Sequence, residues 1–79
     1  MTALELQTEL NQESRDWANI GKFSIKDNKI TLTVAKHFTK LYGVKVIERD
    51  ITLDELDKAN AYTVDDLMHE FEHRIITYK

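Results

Sequence analysis

Residues 22–36, KFSIKDNKITLTVAK, decide the fold. Phe23 and Ile25 alternate with Ser24 and Lys26, and Ile30, Leu32 and Val34 alternate with Thr31, Thr33 and Ala35. A period of two sends successive side chains to opposite faces of a pleated strand. Between the two runs stands Asp27-Asn28, two residue types that tolerate positive φ, as a two-residue hairpin turn requires. The stretch therefore predicts two antiparallel strands, 22–26 and 29–36.

Downstream, VKVIER (44–49) is rich in β-branched residues and predicts a third strand, with Val44 and Val46 facing inward and Lys45 and Ile47 facing out. HFTKLYG (37–43) fits either an extension of the second strand before a turn at Gly43 or an irregular loop. Upstream, Ala3, Leu6, Leu10, Trp17 and Ile20 fall on one helical face that Ser14 interrupts. Thr2 with Glu5 three residues later makes a capping box, and Gly21 suits a left-handed helix stop, so a helix is expected over about 3–19. Thr52 with Glu55 opens a short helix near 53–60. Thr63 with Asp66 caps a longer one near 64–77, along which Val64, Leu67, Met68, Phe71, Ile75 and Tyr78 form one apolar stripe.

The expected order is thus α-β-β-β-α, with an extra short helix before the last. The fold class is α+β: a three-stranded antiparallel sheet with helices packed on one face and the other face open to solvent.

With 79 residues the chain is read as a single domain, 1–79, whose thin core leaves little room for a deep catalytic cleft. There is no cysteine, which excludes disulfides, thiolate metal sites and thiol nucleophiles. The first ten residues, MTALELQTEL, lack the basic flank and apolar run of a signal peptide, and no apolar run is long enough to span a bilayer. The expected location is the cytoplasm, with no membrane contact. Net charge is −3 but unevenly placed. Residues 1–21 hold four acids and one arginine, 22–49 hold seven bases and two acids, and 50–79 hold eight acids and three bases. The middle is basic and both flanks are acidic.

One motif has a catalytic reading. His69-Glu70-Phe71-Glu72-His73 satisfies H-E-x-x-H, the metal-binding and general-base core of many metalloproteases. Such a site needs both histidines aimed into a cleft, a third ligand and an open fourth position. At 100° per residue, His69 and His73 fall about 140° and 180° from Val64, away from the apolar stripe. A solvated polar face accounts for the same residues: Glu70 and Arg74 are an i,i+4 pair, Asp65 sits four residues before His69, and His73 and Arg74 complement the helix dipole. No metal, no cofactor and no catalytic residue is therefore expected. The chain also lacks a G-x-S-x-G elbow and a glycine-rich phosphate loop, its only glycines being Gly21 and Gly43.

Binding remains. If Ile30, Leu32 and Val34 face the helices, then Lys26, Thr31, Thr33, Lys45, Ile47 and Arg49 lie toward the open face of the sheet, and Ile76 stands outside the core of the last helix. Lysines and hydroxyls are phosphate-contacting types, and His37, Phe38 and Tyr42 lie near one end of the sheet, so nucleic acid is a possible partner. The element order is similar to that of double-stranded-RNA-binding domains, but in order only: the last helix opens with Asp65 and Asp66, which repel phosphate, and there is no Gly-Pro loop. Acidic helices beside a basic sheet also make the molecule bipolar, which suits steering to a protein or head-to-tail self-association. The sequence thus favours a small non-enzymatic binding or regulatory module. It would be a monomer or weak homodimer that docks on a protein, of the size class of accessory proteins such as phage-type inhibitors, with nucleic-acid binding as the alternative and an H-E-x-x-H zinc hydrolase as a distant third.

Overall fold

A computed structural model describes residues 1–78. Its element order is α1 (Ala3–Trp17), β1 (Gly21–Lys26), β2 (Lys29–Val34), α2 (Lys36–Tyr42), β3 (Val46–Asp50), α3 (Leu53–Lys58) and α4 (Ala61–Ile76). The strands form one open antiparallel sheet in the order β1-β2-β3, and α1 and α4 pack against it, an α+β fold.

The hairpin forms where alternation placed it. Asp27 (φ 51°) and Asn28 (φ 60°) are both left-handed, the backbone of a type I′ turn. Ile25 pairs with Ile30, Phe23 with Leu32 and Gly21 with Val34, so one face of β1 and β2 is apolar. That face meets Leu6 and Leu10 of α1 and Val64, Leu67, Met68, Phe71 and Ile75 of α4, all buried. Phe23 and Phe71 meet edge to face, with ring centroids 5.2 Å apart.

Both main helices run the same way, from the turn end of the sheet to the end where β1 begins. Along α1, Gln7 accepts from the Ile25 N–H, Asn11 brackets the Phe23 N–H and C=O, and Ser14 exchanges two bonds with Gly21. Those groups lie along the outer edge of β1, so α1 occupies that edge with side-chain amides where another chain could pair. Along α4, Glu70 meets Arg49, and Arg74 donates to the Glu48 carbonyl on the outer edge of β3.

Several expectations need correcting. Residues 36–42 are neither strand nor loop but a two-turn helix, α2, stopped by Gly43 in the left-handed region (φ 76°). Phe38 and Tyr42, one turn apart, stack and pack against the core, which anchors a helix that has no side-chain N-cap. Because α2 delivers the chain to the sheet, Val44 is buried before the strand begins and the alternation restarts: Ile47 faces the core and Val46 faces out, the reverse of the expected phase. At the end of α1 the left-handed position is taken by Asn19 (φ 46°), while Gly21 opens β1. A Cβ on Gly21 would stand 2.1 Å from the Thr33 carbonyl oxygen, so this backbone approach requires glycine. Ser14, an interruption of the apolar face in the sequence, is fully buried and bonded to Gly21. The last helix begins earlier than expected, at Ala61, because the Asn60 side chain accepts from the Tyr62 and Thr63 amides. The boxes at Thr2–Glu5 and Thr52–Glu55 form as expected.

Candidate functional site

Register fixes the open face of the sheet as three cross-strand rows: Lys22, Thr33 and Val46; Ser24, Thr31 and Glu48; Lys26, Lys29 and Asp50. No aromatic residue stands in these rows, and two of the nine positions are acids. Lys26 and Lys29 lie at the turn end, where Lys29 pairs with Glu48. The row at the other end is basic, apolar and free of acid.

The residues that sequence reasoning nominated are therefore dispersed. Ile47 belongs to the core. Arg49 pairs with Ile30 and so lies on the helix side of the sheet, not the open face. Its guanidinium bridges Glu55 of α3 (Nη2 to Oε2, 3.2 Å) and Glu70 of α4 (Nε to Oε2, 2.9 Å) and donates to the Asp50 carbonyl. Its charge is engaged in joining β3 to two helices. The Thr52 amide, and after it Arg49, holds the Glu55 carboxyl below its ordinary pKa. Thr31 is half-buried in the middle of the open face, Lys26 is exposed at its far end, and Ile76 is exposed on α4.

Only Thr33 and Lys45 come together. They line a shallow groove of about 420 Å³ with Val46, Thr39, Lys36 and Lys40, where α2 meets the ends of β2 and β3. Val46 is 51% exposed there, a large apolar residue in the open. Lys36 and Lys40 are one turn apart on α2. Among the described residues Lys36, Lys40 and Lys45 form no ion pair, whereas the other end of the sheet carries several. The groove was missed in the sequence because it depends on α2; the signal that could have revealed it was the i,i+4 spacing of Lys36 with Lys40 and of Phe38 with Tyr42 just before Gly43.

The H-E-x-x-H histidines are exposed. His69 donates from Nδ1 to the Asp65 carbonyl (2.9 Å) and sets its ring edge-on to Trp17, with centroids 4.8 Å apart. Glu70, the general base of the zinc-hydrolase reading, is turned onto Arg49. Among the described residues no three His, Asp or Glu side chains gather as a metal site would require. No helix among them is long and apolar enough to cross a membrane.

What the fold and the groove define is a class of shape: an open three-stranded α+β layer with both sheet edges engaged by its own helices and a lysine-ringed apolar groove at one end. Comparison with protein-family models, with curated proteins and with solved structures returned no match.

Proposed function

We propose that the protein is a small non-enzymatic binding module that docks on a protein partner through the α2–β3 end. The observation that carries this reading is the exposed Val46 and its groove among Lys36, Lys40 and Lys45, three cations that form no ion pair among the described residues. An apolar anchor point inside a ring of one charge sign offers burial for affinity and Coulomb steering for approach. Regulation by occupancy, as an inhibitor or accessory subunit in the cytoplasm would exert it, follows naturally from a surface that binds without chemistry.

Nucleic acid is the weaker reading. Single strands are held by aromatic platforms along a basic track. The open face here has lysines, but no aromatic rows, and Glu48 and Asp50 interrupt the track. The experiment is a tagged pull-down from the source lysate, split into nuclease-treated and untreated halves. A stoichiometric protein retained in both halves supports docking on protein; material that vanishes with nuclease moves the function to nucleic acid.

A further inference from the structure

The charge asymmetry runs along the molecule, not between its layers. α1 and α4 start at the turn end, and α3 sits there too, directly after Ile51, whose amide donates to the turn residue Asn28. Residues 52–66 at that end carry Asp54, Glu55, Asp57, Asp65 and Asp66 against Lys58 alone. Residues 33–46, at the opposite end, carry Lys36, Lys40 and Lys45 and no acid. The acidic end also presents an apolar knob. Tyr62, in the first turn of α4, is 81% exposed, the most exposed large hydrophobic residue in the described structure. Asp65 and Asp66 follow it at i+3 and i+4, on the same side of the helix, and both are exposed.

We infer that the lysine-ringed groove accepts the Tyr62 corner of a second copy of this chain, so that the protein associates head to tail. The proposal rests on the groove being a docking surface and names one occupant for it. Tyr62 supplies an aromatic side chain of the kind that anchors interfaces. Asp65 and Asp66 supply the charge that Lys40 and Lys45 lack. The two patches cannot meet within one copy, because α4 itself, 16 residues and about 24 Å long, separates them. A two-fold dimer through the groove would set lysines against lysines. The groove lies on the open-face side of the sheet and the Tyr62 corner on the helix side, so two copies do not make both contacts reciprocally; each copy offers one end to each neighbour, and the assembly is heterologous and grows instead of closing at two. The contact is small, so association is expected only toward about 1 mM protein.

The test is sedimentation velocity over a concentration series with two charge-swapped variants of exposed residues, each checked for native circular dichroism. One is Lys40→Glu with Lys45→Glu; the other is Asp65→Lys with Asp66→Lys. Wild-type weight-average mass should climb with concentration past that of a dimer. Each variant alone should stay monomeric, its two ends now alike in charge. An equal mixture should associate again, since every groove then finds a corner of opposite sign. Should the aspartate pair fail to fold, Tyr62→Ala replaces it and should lower association at least tenfold. A wild type that stays monomeric, a dimer that stops at two copies, or variants that associate like wild type would overturn the proposal. If the wild type stays monomeric while the pull-down yields a protein lost on Lys40→Glu, the self-contact fails and the docking reading stands.

Discussion

The α1–β1 seam and the α2–β3 end put their polar side chains to opposite uses. At the seam, Gln7, Asn11 and Ser14 each turn a side-chain oxygen or amide onto the β1 backbone, and no buried side-chain polar atom is left without a partner among the described residues. At the α2–β3 end, Thr33 and Val46 face solvent, and the three lysines around them form no ion pair among the described residues. In small domains, where net stability is typically only about 5–10 kcal/mol, polar groups that the fold requires are bonded to it. Those left uncommitted on the surface are the ones available to a partner.

Substitutions at the seam should therefore damage the fold, and substitutions at the groove should damage only binding. The largest loss is expected from Gly21→Ala, because the new Cβ must displace the Thr33 backbone and the residue sits at positive φ; urea unfolding should show a drop of about 2–4 kcal/mol. Ser14→Ala should cost about 1–3 kcal/mol by the same assay, since it strips a buried partner from both polar groups of Gly21. Asn11→Ala should cost about 1 kcal/mol, less than Ser14 because its site is only partly buried, and should expose the β1 edge to self-pairing, seen as aggregation on heating. An equal cost for all three would dissolve the distinction between buried and marginal contacts.

A smaller effect tests the far end. Glu55 has a folded pKa below its unfolded one, so its contribution is present above the unfolded value and is lost as pH falls through the folded value. Melting temperature should fall with acid below about pH 4.3, and Glu55→Gln should flatten that slope. An unchanged slope would mean that the Thr52 cap and the Arg49 pair contribute nothing there.

Much of this was legible in the sequence, for identifiable reasons. The hairpin and the two long helices were readable because Asp27-Asn28, the Thr2–Glu5 box and the α4 stripe are local signals that packing then reinforces. α2 leaves only a faint signal, the i,i+4 pairs Lys36–Lys40 and Phe38–Tyr42 before Gly43, since seven residues give barely two turns and its cap, Ala35, has no bonding side chain. That one omission propagated. With 37–43 read as strand or loop, Val46 and Ile47 receive the wrong phase, although Val44 is buried as expected, and Arg49 falls on the open face beside Ile47. The groove was invisible for the same reason, because Lys36, Lys40 and Lys45 converge only when α2 folds back beside β3. Charge blocks, by contrast, were visible as blocks, but sequence could not show that they lie at opposite ends of the sheet instead of on opposite layers.

The most direct test of the division between seam and groove uses Lys40→Glu with Lys45→Glu as bait beside the wild type, in nuclease-treated lysate, with the unfolding midpoint of both measured in the same buffer. Two exposed charges should change stability by no more than about 0.5 kcal/mol, while the captured protein should be lost. Capture that persists on the reversed groove would contradict the account, as would a variant whose loss of capture tracks a loss of fold.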